Sequence, residues 1–209
     1  MVRPTPFKHV GLFPEQAANW EWLVRLKDAF GMERPRLLNL FGYSGAASVV
    51  AALAGYEVTH VDASRTSLAW AGENAVASGL GERPWRVLLE DAPVFAARER
   101  RRGSEYEVVL MDPPSHGRGP SGERWDLVEG LAPLLESVAG ILSEQAAVCL
   151  STYAVGLSPL SLVGALRVFG DGSVEAGELA LPEESASGGD MRLLPAGFCA
   201  RFTRGVELA

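Results

Sequence analysis

The sequence is short of cysteine, of long apolar runs and of positive charge, and each shortage narrows what the chain can do. Its 209 residues include two cysteines, Cys149 and Cys199, which lack the spacing of metal ligands. So far apart in a reducing compartment, they read as two buried thiols rather than a disulfide, and no metal site is expected. No apolar run approaches the roughly 18 residues that a membrane span requires, and the opening Met1-Val2-Arg3-Pro4 does not begin a secretory signal. A cytoplasmic protein without membrane contact is expected. A net charge of −7 argues against a surface that grips nucleic acid all over, because phosphates are neutralised by Lys and Arg. The charge is uneven all the same. Arg98, Arg100, Arg101 and Arg102 cluster in what reads as a solvated helix end, while Glu175, Glu178, Glu183, Glu184 and Asp190 make the late region acidic. With 47% hydrophobic and 22% charged residues, one globular domain with a real core is expected.

What is present centres on Leu37 to Asp62. Leu37, Leu38, Leu40 and Phe41 form an apolar run too short for a helix, and glycine follows at once, so the run reads as a buried strand. Gly42 and Gly45 allow a sharp turn against which a ligand can lie on bare backbone. Ser44 is the expected cap of a helix through Ala46, Val49, Ala52 and Leu53 that stops near Gly55. A second strand, Glu57 to Val61, delivers Asp62. A carboxylate about 20 residues beyond the first glycine of a strand, loop, helix and strand is placed to bind the two hydroxyls of a ribose. The loop lacks the third glycine of a dinucleotide fingerprint and the lysine of a phosphate loop, so a ligand with a ribose and no phosphate suits it. S-adenosylmethionine (SAM) is the commonest of that kind. The plainer reading is a glycine turn in an ordinary βαβ unit.

Pro14 predicts the first turn of a helix that continues through Trp20, Leu23, Leu26 and Phe30, with Phe13 and Gln16 at its entrance as either a cofactor cover or a cap and staple. Ser64 to Ser78 predicts a helix, Trp85 to Leu89 a third strand, and Glu90-Asp91-Ala92 its acidic end, where Asp91 can meet a bound nucleoside and also cap the helix over Pro93 to Arg101. Tyr106 to Met111 predicts a fourth strand running into Asp112-Pro113-Pro114, a turn stiff enough to hold carbonyl groups out to an incoming amine or base edge. The glycine-rich stretch from His116 to Gly122 is expected to be an irregular, mobile loop on the substrate side. There Ser115, His116, Arg118 and Arg124 are the candidates for substrate contact, His116 to stack on a base and the arginines to meet phosphate; the plainer reading is a surface loop with no ligand. Then follow an expected helix from Trp125 to Leu142, a fifth strand from Ala147 to Ser151 and a helix from Leu160 to Val168. Two strands, Val174 to Leu181 and Arg192 to Phe202, are expected to close the sheet's edge as an antiparallel pair.

Taken together, HVGLFPEQ (9–16), NLFGYSGAAS (39–48), HVDAS (60–64), ENA (73–75), Glu90-Asp91-Ala92, MDPPSHGRGPSG (111–122) and STYAVGLS (151–158) resemble the class I SAM-dependent methyltransferases. More narrowly they resemble the branch that contains the large-subunit ribosomal RNA methyltransferases, over nearly the whole chain. The resemblance implies an α/β Rossmann-like fold with a seven-stranded, mostly parallel sheet whose last strand is antiparallel. Residues 1–35 would cover the cofactor site and 36–209 would form the methyltransferase domain. It implies SAM as cofactor, held by Phe13, Gln16, Gly42, Tyr43, Ser44, Gly45, Asp62, Ala63, Ser64, Asp91, Ala92 and Asp112, and methyl transfer at Asp112, Pro113 and Pro114 onto RNA. A methyltransferase acting on a small molecule or a protein, or a non-catalytic partner subunit, are the alternatives. The cytosine-5 members have a nucleophilic cysteine where this chain reads Ser151-Thr152-Tyr153. Thr152 cannot readily form their covalent adduct, so direct transfer to a nitrogen or oxygen is expected. Fuller members carry an N-terminal RNA-contacting module, so the resemblance is to the catalytic domain alone.

Overall fold

The computed structural model describes residues 2–4, 10–81, 85–154, 156–183 and 192–207; of the residues discussed above, Met1, His9, Val155, Glu184 and Asp190 lie outside these. In chain order the strands are β1 (Arg36–Leu40), β2 (Glu57–Asp62), β3 (Trp85–Leu89), β4 (Tyr106–Met111), β5 (His116–Arg118), β6 (Arg124–Asp126), β7 (Leu142–Thr152), β8 (Ser173–Pro182) and β9 (Leu193–Arg204). The helices are α1 (Ala17–Ala29), α2 (Ala46–Ala54), α3 (Arg65–Ala77), α4 (Ala92–Arg102), α5 (Leu127–Ala139) and α6 (Pro159–Leu166). Seven strands make one sheet in the order β3-β2-β1-β4-β7-β9-β8, with β9 antiparallel to both its neighbours. Every residue of β4 is buried, as a central strand with helices on both faces requires. Alternate residues feed two cores. Leu38, Val109 and Val148 face Phe95, Leu134 and Leu162 of α4, α5 and α6, while Leu37, Val108 and Cys149 face the side of Trp22, Leu23 and Ala51 on α1 and α2.

Register is what builds the site. Leu40 lies beside Val61 on one side and Met111 on the other, and Met111 lies beside Leu150. The next residue of each strand is therefore level with the others, so Asp62, Phe41, Asp112 and Ser151 form a row at the carboxyl ends of β2, β1, β4 and β7. This is the edge at which open α/β sheets bind ligands.

Several elements differ from the sequence reading. α1 is preceded by a short 3-10 turn over Pro14–Gln16. Ser44 does not cap α2; that helix starts after Gly45 in the left-handed region, and the Ser44 hydroxyl donates instead to the Gly11 carbonyl. β7 begins at Leu142, five residues before the expected start, because a register shift opposite Tyr106 and Val108 absorbs the polar Glu144-Gln145 step. The stretch expected to be an irregular loop begins with β5, which pairs with β6 as a hairpin and so takes Trp125 out of the predicted helix. α5 starts at Leu127 because Asp126 caps it through the amides of Val128 and Glu129. Only β8 lies at the sheet's edge, since β9 inserts between β7 and β8. Cys149 and Cys199 are free and buried, with their sulfurs 3.6 Å apart across β7 and β9. Among the described residues no helix is long and apolar enough to cross a membrane.

Candidate functional site

At the row of strand ends lies a cavity of about 420 Å³. Its first wall is the turn after β1. Phe41 and Tyr43 have φ of 58° and 48°, the two non-glycine residues with positive φ among the described residues, and they flank Gly42. Such backbone costs on the order of 1–3 kcal/mol per residue and persists where its surroundings enforce it. Two contacts enforce it here. A Cβ on Gly42 would fall 2.3 Å from Cε1 of the His60 ring, whose Nδ1 is held by Ser48 Oγ at 2.9 Å. The Tyr43 amide, for its part, donates to Asp62 Oδ2 at 2.9 Å. Burial drives the His60 pKa down to about 4, so the ring under the turn is neutral at physiological pH.

Asp62 is held at both oxygens, since the Ser64 amide donates to Oδ1 at 2.8 Å. Each carboxylate oxygen has a further lone pair, so two hydroxyls can still be accepted side by side. Burial raises the Asp62 carboxyl above its usual range, and the two amides pull it back. Asp91 caps α4 through the Val94 amide at 3.2 Å while also lining the cavity; burial raises its pKa as well.

The wall opposite is built from β4, β7 and the residues leading into α1. Ser151 Oγ donates to Asp112 Oδ1 at 2.8 Å and receives Gln16 Nε2 at 3.1 Å; the same amide reaches Tyr153 Oη at 3.1 Å. Asn19 Nδ2 donates to Gln16 Oε1 at 2.7 Å, and Arg201 of β9 donates through Nη2 to Asn19 Oδ1 at 2.8 Å. A continuous chain of side chains thus runs from the antiparallel strand to Asp112. Burial, reinforced by the nearby Glu15, pushes the Asp112 pKa up to about 6 against the opposing Ser151 bond.

The β5–β6 hairpin closes the third side. Trp125 Nε1 donates to the Pro114 carbonyl at 2.7 Å, and its ring meets Phe41 at 5.0 Å between centroids. The Pro114 carbonyl is therefore engaged, leaving Asp112 and Pro113 as the part of the double-proline turn able to face a ligand. Arg118 and Arg124 stand directly opposite one another across the hairpin, and among the described residues neither enters an ion pair.

Of the residues singled out from the sequence, Phe13, Gln16, Gly42, Tyr43, Ser44, Asp62, Ala63, Ser64, Asp91, Ala92, Asp112, Pro113, Pro114 and Arg118 line this one cavity. Four do not. Gly45 (φ 82°) turns against Ala71 of α3, so its missing Cβ serves helix packing. Ser115 and Arg124 lie outside the lining, and His116 is largely exposed, its Nδ1 3.1 Å from Asp126 Oδ2. Asn19, Trp125 and Tyr153 were missed, because each acts through a partner distant in sequence. The Pro at the start of α1 and the polar Ser-Thr-Tyr step after a buried strand were the available signals.

No family model matches the chain. It is 43% identical to a structure described as the SAM-dependent methyltransferase from Agrobacterium tumefaciens, with a TM-score of 0.88 over 95% of this chain and 65% of that one. Over 110 residues, 52% of this chain, it is 36% identical to the ribosomal RNA large subunit methyltransferase K/L of Shewanella baltica. Over 118 residues, 55% of this chain, it is 35% identical to the protein of the same name from Methylococcus capsulatus. The chain spans only 15% and 16% of the length of these two relatives. A magnesium protoporphyrin IX methyltransferase from Synechocystis, solved with bound SAM, has a TM-score of 0.63 at 14% identity over 91% of this chain and 80% of its own, a likeness of fold alone. The chain has the Rossmann-like fold of the SAM-dependent methyltransferases, and the resemblance carried by its motifs is borne out, to proteins named as ribosomal RNA methyltransferases over 52% to 55% of the chain rather than nearly all of it.

Proposed function

We propose that this chain binds SAM in the cavity and transfers its methyl group to a nitrogen or oxygen nucleophile on ribosomal RNA, in the cytoplasm. The observation that carries the cofactor is Asp62, whose two oxygens are steadied by the amides of Tyr43 and Ser64 and are left to accept a pair of ribose hydroxyls. The cavity's charge agrees with this. Asp62, Glu90, Asp91 and Asp112 line it, with Arg118 as its one cationic lining residue among those described, so it suits a cationic ligand and repels a pyrophosphate. In this reading Gly42, Tyr43 and Ser44 face the methionine end, Asp62 with Ala63 and Ser64 the ribose, and Asp91 with Ala92 the adenine. Phe13 and Gln16 cover the donor.

SAM supplies a methyl group already activated on a sulfonium, so the residues need only align donor and acceptor and exclude water. Asp112 and Pro113 border the point of transfer, and Trp125 keeps the hairpin seated over it. The RNA assignment rests on Arg118 and Arg124, whose like charges face one another across two short strands. Such a pair is unfavourable alone and is relieved by an anion between them, as a phosphate would be. The names of the curated relatives favour the same substrate.

The test is to incubate the protein with methyl-labelled SAM and either unmodified large-subunit rRNA or a pool of small metabolites. Label in RNA that falls when Arg118 and Arg124 are both changed to Ala supports the reading. Label confined to the soluble pool moves the substrate to a small molecule, and absence of SAM binding by calorimetry refutes the whole assignment.

A further inference from the structure

Asp112 is a carboxylate with no counter-charge. It lines the cavity, yet no Lys, Arg or His among the described residues forms an ion pair with it. The titratable groups around it carry, or would acquire, the same sign: Glu15 from the turn before α1, Cys149 from β7, and Tyr153 just beyond that strand. Ser151 fixes Oδ1, the one hydrogen bond that the described residues give this carboxylate. A half-buried carboxylate without a counter-charge carries a desolvation cost, and a cation placed beside it offsets part of that cost.

We propose that Asp112, steadied by Ser151 and Gln16, is the counter-charge for the donor's sulfonium, so that the site tells the methyl donor from its demethylated product by charge. This rests on the SAM reading above. In the transfer, the acceptor's lone pair forms the new bond to the methyl carbon, the electrons of the carbon–sulfur bond stay on sulfur, and the sulfonium becomes a neutral thioether. The positive charge passes to the acceptor, which keeps it or releases a proton to solvent. Asp112 is then left facing a neutral sulfur, which favours release of S-adenosylhomocysteine (SAH) or uptake of a proton. Donor and product therefore lean on opposite protonation states of one residue. Both ligands carry the same ribose, adenine and amino-acid end, so the ratio of their affinities isolates the sulfonium.

Calorimetric titration of the whole chain with SAM and with SAH, from about pH 5 to about pH 7.5, tests this. The SAM-to-SAH affinity ratio is expected to rise about tenfold or more through a transition near pH 6, as Asp112 ionises. Asp112→Asn is expected to give a low ratio that does not change with pH. Two further variants keep Asp112 and move its ionisation in opposite directions. Ser151→Ala removes a bond that lowers the pKa, so the transition shifts to higher pH; Glu15→Gln removes a repulsion that raises it, so the transition shifts to lower pH. A ratio that stays constant across the range in the unmodified protein overturns the proposal while leaving SAM binding intact. Failure of both ligands to bind overturns it together with the cofactor reading.

Discussion

Tyr43 and Asp62 hold each other in place: the amide of a residue in left-handed backbone donates to a half-buried carboxylate 19 positions along the chain, at 2.9 Å. The carboxylate stabilises the strained turn, and the turn aims the carboxylate. Asp62→Asn breaks this arrangement with almost no change in size. Its NH2 group must face either the Tyr43 amide or the Ser64 amide, donor against donor. Loss of one buried bond costs about 1–3 kcal/mol, so calorimetry should show SAM affinity reduced at least tenfold, with a lower melting temperature.

Gly42 is required by what lies beneath it. Gly42→Ala should destabilise the protein by about 1–3 kcal/mol in chemical denaturation, the usual range for overpacking, because the added carbon falls 2.3 Å from Cε1 of the His60 ring. Truncating that ring makes room. The double variant Gly42→Ala with His60→Ala should therefore lose less than the sum of its single changes, and strict additivity would show that the two do not meet.

Asp112 should carry a measurable stability cost. Its folded pKa, about 6, lies above the ordinary 3.8, so the ionised form is penalised on folding at neutral pH and the penalty fades as pH falls through 6 toward 4. Asp112→Asn retains an acceptor for Ser151 and drops the charge. Without ligand, the variant should be more stable than the parent by on the order of 1–2 kcal/mol above pH 7, with the gain vanishing by pH 4. A variant less stable than the parent at both pH values would contradict this.

Trp125→Phe keeps a ring against Phe41 and removes the donor to the Pro114 carbonyl. SAM affinity should stay within about twofold, while methylation of RNA falls by about tenfold, the worth of one hydrogen bond, mainly through a raised KM for RNA. Equal losses in SAM affinity and in methylation would make Trp125 part of the donor site instead.

The sequence was most legible where function depends on neighbours within one βαβ unit. Asp62 ends its strand where the spacing from Gly42 puts it, and β3 and β4 have the boundaries their apolar runs suggest. Legibility failed where a residue's partner comes from another part of the chain. Ser44 looks like a cap until Gly11, 33 residues away, takes its hydroxyl. Gly117 and Gly119 suggested an irregular loop, whereas Trp125 anchors a hairpin from outside the stretch. Gln16, Ser151 and Asp112 are separated by as many as 135 positions; the register of β4 on β7 brings the last two together, and the turn before α1 adds Gln16. The two cysteines, 50 positions apart, meet because β9 pairs with β7.

The insertion of β9 between β7 and β8 has a consequence for the order of assembly at the ribosome. Synthesis supplies β8 before the strand that must separate it from β7, so until β9 emerges the open flank of β7 is bare and Arg201 cannot brace Asn19. An incomplete nascent chain therefore has the Gly42 turn and Asp62 in place early, and the Arg201 brace on Asn19, behind Gln16 and Asp112, last.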